Sequence, residues 1–408
     1  MKTNILNLFK KKQIIKSKFN YPLHEDALNE KDLVEGLKVL ISRQLTMSKK
    51  TKEFERYFQK KMGLKYCLMV NSGSSANLLA LFALINPIKK NNLKVGDECL
   101  VPAVCWSTSL WPVIQSGLKP KLIDVDINSF SLNLETIKKN ITKKTKAIML
   151  INVLGNCSEI DKIEQFAKKN NIYLIEDNCE SLGSKYKKKY LGNYGDFSSF
   201  SFYYSHQITS GEGGMIACKT KEDYELLKVL RAHGWDRDVK KKDKRKKFNF
   251  INSGFNLRPL EVSAAIGLNQ FKRLSKMMSI RSYNRNKLIH KIRTSNLWKN
   301  QFSFFNPSKN LRPSWFGFPL LINKKLAYKK DKFLDFIGIQ GIETRPIISG
   351  NFSKQDAIKL YKIQYNKKKL INADDIDRRG FFIGLPTVKL SKEKLEKITK
   401  LLLKISDI

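Results

Sequence analysis

As far as Cys218, short apolar runs rich in β-branched residues alternate with stretches of helical periodicity. Tyr66–Val70, Glu98–Val101, Lys121–Asp124, Ala147–Asn152, Tyr173–Glu176, Ser198–Phe202 and Gly214–Cys218 read as strands. Ala76–Leu84, Trp106–Ser116 and Ile160–Asn170 read as helices set between them. Strands alternating with helices predict βαβ units and a mostly parallel sheet. Strands covered on both faces read as continuous apolar runs, as these do. In open sheets of this kind ligands collect beyond the carboxyl ends of the strands. After Leu257 the texture changes. Leu260–Arg293 is one long helical stretch with Ala264, Ala265, Ile266, Leu268 and Leu274 at core spacing. Strands follow at Trp315–Ile322 and Glu343–Pro346, and helices at Leu326–Gly338, Lys367–Arg379 and Lys392–Leu403. The pattern predicts an α/β chain. Residues 1–30 form an N-terminal extension, 31–265 a large domain, and 266–408 a smaller α/β domain that begins with the linking helix.

Composition narrows the class. Of the 408 residues 42% are hydrophobic, which supplies two cores and excludes intrinsic disorder. No apolar run reaches the roughly 18 residues of a spanning helix. Lys and Arg number 77 against 37 acids, a net charge of +40. A nucleic-acid surface is one reading of that excess. The other is lysine spread over solvated faces, and it fits better, because the Lys residues recur along the whole length rather than in one aromatic-interleaved patch. The densest run, Lys240–Lys247, reads as an exposed loop. The 6 cysteines show no CxxC spacing, so they read as small core hydrophobes rather than metal ligands. The Lys-rich stretch Met1–Phe19 has no continuous apolar segment and no cleavage site, so a reducing cytoplasm is expected.

Three segments carry candidate chemistry. Asn71-Ser72-Gly73-Ser74-Ser75-Ala76-Asn77 follows a strand and opens a helix, where small residues and the helix N-terminus suit an anion. An ordinary Ser/Gly turn would look the same. Ile175-Glu176-Asp177-Asn178-Cys179-Glu180 ends an apolar strand, where an acid either meets a ligand or caps the next helix. Phe200–Gly214 packs aromatic-flanked hydroxyls, His206 and a Gly-rich turn into one stretch. A lone His is more often structural than catalytic. His24 and His290 read as helical, in polar surroundings, and without a role in chemistry.

In this order and spacing the segments resemble the DegT/DnrJ-type sugar-nucleotide aminotransferase family, from about residue 30 to near the C-terminus. The resemblance implies an aspartate-aminotransferase-like fold (pyridoxal-phosphate fold type I) with a mostly parallel mixed sheet. Ser72-Gly73-Ser74 matches the family's phosphate turn and Trp106 its ring-stacking aromatic. Glu176-Asp177 matches its acidic pair, and Thr209–Gly214 its Thr-Thr-Gly-Glu-Gly-Gly turn. Gly254-Phe255-Asn256-Leu257-Arg258 matches its Gly-Tyr-Asn-Xaa-Arg segment. The implied roles follow. Asp177 pairs with the pyridine nitrogen, Trp106 stacks on the ring, and Glu180 lies on the ring-hydroxyl side. Gly73, Ser74, Ser75 and Ser201 hold the phosphate, joined by Asn256 of a second chain in a homodimer. Arg345 binds an anionic group such as the carboxylate of L-glutamate, and His233 lies in a loop that approaches the neighbouring site.

One departure from the pattern changes the implied reaction. His206 stands where the family has its Schiff-base Lys, and an imidazole cannot form that covalent link. The cofactor is then held noncovalently as pyridoxal or pyridoxamine phosphate, and His206 is left to move protons. This is the pattern of the family's 3-dehydratase branch, which removes the C3 hydroxyl of a nucleotide-linked 4-keto-6-deoxyhexose. Arg231-Ala232-His233-Gly234-Trp235, Asn256–Glu261, Ser314–Phe318, Arg345-Pro346-Ile347 and Gly350-Asn351-Phe352 agree with it, and with a GDP-linked mannose derivative as substrate. A sister branch carries a cysteine-ligated [2Fe–2S] cluster. Only Cys218 lies beyond His206 here, so no iron–sulfur cluster and no metal is expected. The alternatives are a 3-dehydratase or aminotransferase acting on another nucleotide-ketosugar, and a noncatalytic sugar- or cofactor-binding relative. The partners expected are a nucleotide-diphosphate sugar and glutamate, with neither nucleic acid nor membrane.

Overall fold

The structure, a computed structural model, describes residues 17–24, 28–239 and 248–408. The Lys240–Lys247 run and most of the N-terminal extension lie outside these residues.

The large sheet is built from β1 (Tyr66–Val70), β2 (Glu98–Pro102), β3 (Lys119–Ile123), β4 (Thr145–Ile151), β5 (Tyr173–Asp177), β6 (Phe197–Ser201) and β7 (Gly214–Cys218). With β11 (Gln364–Tyr365) added, its 8 strands run in the order β1–β7–β6–β5–β4–β2–β3–β11. The pairs of β7 with β1 and β6 are antiparallel; the rest are parallel. Each strand expected from the sequence lies within a few residues of its place. Burial on both faces is why they read as unbroken apolar runs: in β4 only Lys146 is exposed. Helix α3 (Gly73–Leu84) is apolar nearly all round and correspondingly buried.

Two helices that the apolar pattern did not reveal, α1 (Glu30–Ser42) and α2 (Lys49–Met62), are dense in charge. They are held by acids from within the fold. Asp32 forms a capping box with Asn29 and also accepts from Asn269 and Gln270. Glu261 accepts the backbone N–H groups of Ser48, Lys50 and Thr51, satisfying the start of α2. Both acids tie these helices to α7 (Glu261–Arg293), the 33-residue linking helix. Phe58 of α2 stacks on Phe271 of α7, with ring centroids 4.7 Å apart, and meets Phe200 of β6 edge-on at 5.1 Å.

A second, antiparallel sheet of 4 strands runs β8 (Phe302–Phe304), β9 (Gly317–Ile322), β12 (Gly380–Gly384), β10 (Thr344–Arg345). Its own core includes Phe318, Phe333 and Phe381. The strand expected from Trp315 starts instead at Gly317, because Trp315 has φ +50° and turns the chain there. The helices expected from Leu326 and Lys367 begin as 3₁₀ turns and become regular only at Lys330 and Ile371. The two parts of the chain interlock. Phe352, Ile358 and Ile363 join the core of the large sheet, while Tyr21, from the N-terminal end, bridges Ile342 beside the small one. No helix among the described residues is long and apolar enough to cross a membrane.

Truncating Phe58 opens a cavity between α2, α7 and β6. Phe58→Ala is expected to lower stability by about 3–5 kcal/mol, read as a lower urea midpoint. An unchanged midpoint would mean that this aromatic cluster does not bind the helices to the sheet.

Candidate functional site

The carboxyl ends of β1, β5 and β6 and the amino end of β7 converge on the N-terminus of α3. Ser72 caps that helix, its hydroxyl accepting the Ser75 N–H at 3.1 Å and lying 3.0 Å from the Ser75 hydroxyl. A Cβ on Gly73 would lie 2.6 Å from Ser201 Cβ and 2.7 Å from Cys179 Sγ, and one on Gly214 would lie 2.4 Å from the Ser72 carbonyl. Glycine at both positions is what lets the helix press onto the strand ends. The first-turn N–H groups of a helix have no intrahelical partner, and with the helix dipole they favour an anion there. Ser74, at the rim, donates its hydroxyl proton to Thr108 at 2.9 Å.

At the end of β5 the two acids separate by strand alternation. Glu176 turns to one face and accepts the N–H groups of Gly192, Tyr194 and Gly195. Asp177 turns to the other. Its Oδ2 accepts from Asn77 Nδ2 and Ser109 Oγ, each at 2.7 Å, and its Oδ1 from the Cys179 N–H at 3.1 Å. Ser109 lies on α4 (Ser107–Gln115), whose cap residue is Trp106, with its side chain 57% exposed. Glu180, half-buried beside this group, accepts the Leu154 N–H at 2.9 Å. Burial pushes its carboxyl up to about 7; Asp177 adds to the shift and the Leu154 N–H opposes it. The Leu154 carbonyl in turn accepts the Phe316 N–H.

His206 lies in the loop between β6 and β7. Its ring meets Phe316 edge-on at 5.1 Å and Tyr203 at 5.8 Å. Its Nδ1 is buried and has no hydrogen-bond partner among the described residues. Burial pulls the imidazole down to about 4; Arg281 adds to this, while the Ser201 backbone and Asp177 act against it. Arg281 itself is buried on α7, its Nε donating to the Leu385 carbonyl at 3.2 Å. The ring of His206 is therefore neutral at physiological pH.

Gly73, Ser75, Asp177, Glu180, Ser201 and His206 thus stand in one region, with Ser74 and Trp106 at its edge. Asn256 and His233 form a separate, exposed cluster: Arg258 donates to Asn256 Oδ1 at 3.1 Å and lies 3.3 Å from His233 Nε2. Arg345 lies on β10, 59% exposed, paired with Glu343 Oε1 at 3.1 Å. His290 is exposed in the last turn of α7. His24, expected in a helix with polar surroundings, is not helical. It sits in an irregular segment against the ring of Tyr204, centroids 5.3 Å apart. The segment's contacts with the small sheet, invisible in local sequence, put it there. Asn77 and Ser109, the residues that hold Asp177, were missed for the same reason. They are 100 and 68 positions away from it. Of the cysteines, Cys179 is partly exposed and lines the site; the other five are buried. Among the described residues no group of three or more His, Cys, Asp or Glu side chains could hold a metal.

Glu180 offers a test of these electrostatics. Its folded value, near 7, exceeds the usual 4.5, so its contribution to stability falls as pH rises between the two. In cofactor-free protein at pH 8, Glu180→Gln should relieve a cost of about 3 kcal/mol and melt higher than the parent. At pH 5 most of that difference should be gone. An equal difference at both pH values would mean that ionisation of Glu180 is not the cause.

The profile of the DegT/DnrJ/EryC1/StrS aminotransferase family matches residues 26–403. A GDP-4-keto-6-deoxy-D-mannose 3-dehydratase of Escherichia coli O55:H7 is 37% identical over 384 residues, 92% of this chain and 97% of that protein. The solved structure of an E. coli GDP-4-keto-6-deoxy-D-mannose-3-dehydratase with bound hydrated PLP superposes with a TM-score of 0.87 at 36% identity, covering 95% of this chain and 99% of that one. A GDP-4-keto-6-deoxymannose-3-dehydratase with a trapped PLP-glutamate geminal diamine gives 0.87 at 36% identity over 94% of this chain and 100% of that one. With the family profile spanning nearly the whole described chain, this protein belongs to the DegT/DnrJ/EryC1/StrS aminotransferase family.

Proposed function

We propose that this chain is a pyridoxamine-phosphate-dependent sugar 3-dehydratase. It removes the C3 hydroxyl of GDP-4-keto-6-deoxy-D-mannose, with L-glutamate as amino donor, in the making of a 3,6-dideoxysugar. Atoms balance as ketosugar plus glutamate giving 3-deoxyketosugar, 2-oxoglutarate and ammonia. The observation that carries the reading is His206. A neutral imidazole, unable to bond covalently to the cofactor, occupies the loop beside Ser201 and Asp177.

The residues present fit the cofactor. The carboxylate of Asp177, oriented by Asn77 and Ser109, suits a protonated pyridine nitrogen. The N-terminus of α3, with Gly73, Ser74, Ser75 and Ser201, suits a phosphate. Trp106 is exposed where a ring can stack on it. Bound pyridoxamine phosphate supplies an amine for the ketone and an electron sink that loosens neighbouring bonds. His206 then accepts a proton on its free nitrogen and returns one to the departing hydroxyl as water. Glu180, about half protonated near pH 7, can share a proton with the ring hydroxyl. Arg345 binds the glutamate carboxylate, exchanging its contact with Glu343. Asn256, with Arg258 and His233, completes the site of a second chain, which makes the working unit a two-fold dimer. The +40 charge then serves to steer a diphosphate toward the site, an effect that salt weakens.

Purified protein with GDP-4-keto-6-deoxymannose, glutamate and cofactor should release 3-deoxy product and ammonia; their absence removes the assignment. His206→Asn should keep the cofactor and lose dehydration. Because burial holds His206 far below its usual 6.5, the acid limb of the rate should lie below pH 5. A limb near 6.5 would point to a solvated imidazole. Asn256→Ala and His206→Asn chains should each be inactive, while mixed and reassociated chains recover about one quarter of the activity if sites are shared. No recovery would place each site within one chain.

A further inference from the structure

Tyr21 to His24 form a strap that runs along the small sheet to the mouth of the site. Tyr21 bridges Ile342, and its hydroxyl donates to the Gly384 carbonyl at 2.8 Å. A Cβ on Gly384 would lie 2.5 Å from the Leu23 carbonyl oxygen and 2.6 Å from that of Pro22, so the strap rests against the end of β12. The Leu23 N–H donates to Glu343 Oε2 at 3.0 Å. Glu343 Oε1 holds Arg345, so one carboxylate joins the strap to that arginine. The strap delivers His24 to Tyr204, which it meets edge-on, two residues before His206 in the chain. His206 and Arg281 are the charged or titratable groups that act on its ring. Its Nε2 is buried and has no hydrogen-bond partner among the described residues. A buried polar atom left unmatched costs about 1–3 kcal/mol, a cost removed when a ligand supplies the partner.

We propose that His24 is a substrate-binding residue of the same site, its Nε2 hydrogen-bonded to a hydroxyl of the nucleotide-linked sugar. The chemistry of the ring selects that partner. Burial, with Arg281 and His206, pulls His24 down to about 4, so it is neutral in use. A neutral imidazole has one donor and one acceptor nitrogen, which suits a hydroxyl that both gives and takes. A carboxylate is served better by Arg345, always charged and more open to solvent. The strap thereby supplies the sugar contact and, through Glu343, holds Arg345 in place before the amino donor arrives.

The inference rests on the reading of the chain as a nucleotide-sugar dehydratase, and its test separates the two. His24→Phe keeps a ring against Tyr204 and deletes the hydrogen bond; His24→Gln keeps a polar group. The first should raise KM for the ketosugar about 10–100-fold, and the second less. Conversion of the cofactor by glutamate alone, followed by absorbance, should be unchanged in both. The melting temperature should fall in neither. An unchanged KM in His24→Phe against an active parent overturns the inference alone. An equal loss in the glutamate half-reaction also overturns it, since the strap would then be purely structural. If the parent turns over no ketosugar, the dehydratase reading fails. Calorimetric titration with GDP-6-deoxy-D-mannose then decides His24: weaker binding by His24→Phe sustains it, while equal binding or none overturns it.

Discussion

The carboxylate of Asp177 is the constraint around which the rest is arranged. It stands at the end of a buried strand, and no part of its setting is local. Asn77 comes from α3, Ser109 from α4, and only the Cys179 N–H from its own turn. Holding the oxygens in place requires both helices to be seated on the sheet within hydrogen-bond tolerance. That seating requires glycine at 73 and 214, where any side chain would strike Ser201, Cys179 or the Ser72 carbonyl. The charge-rich helices α1 and α2 serve the same end indirectly, since Phe58 and Phe54 back the strand that carries Ser201.

Around that carboxylate burial moves the site's other acid–base groups toward their neutral forms. Burial moves Glu180 up to about 7 and His206 down to about 4, so near neutral pH Glu180 is about half protonated while His206 is unprotonated. Groups whose values are pushed apart in this way suit roles of acid and base. Burial, rather than ion pairing, sets both. That is why closure by Phe316, itself fixed by the Leu154 carbonyl, matters to the chemistry. The small sheet therefore takes part in the electrostatics although its strands carry none of the acids.

Much of this was legible in the sequence. Buried strands leave continuous apolar runs, so the strands of the large sheet could be read nearly residue by residue. The turn at Ser72–Ser75, the acids ending β5 and the histidine before a Gly-rich turn were legible because each is a contiguous segment. Helices α1 and α2 escaped because much of each helix faces solvent, and the acids that anchor them, Asp32 and Glu261, make contacts more than 200 positions apart. The strand that starts at Gly317 rather than Trp315 turns on a single positive φ that a tryptophan does not announce.

The residues themselves decide the broad class of chemistry: an imidazole cannot do what an amine does, wherever it is placed. Alternation decides that Asp177 and Glu176 face opposite ways. What only the tertiary structure decides is which distant side chains meet them. Asn77 and Ser109 at Asp177, Leu154 at Glu180, and His24 beside Tyr204 are joined by packing between elements remote in sequence, which leaves no periodic or local signature. His24 marks that limit most sharply. In the sequence it is one polar residue among others near a terminus; three anchors along the small sheet, at Ile342, Glu343 and Gly384, carry it to the site.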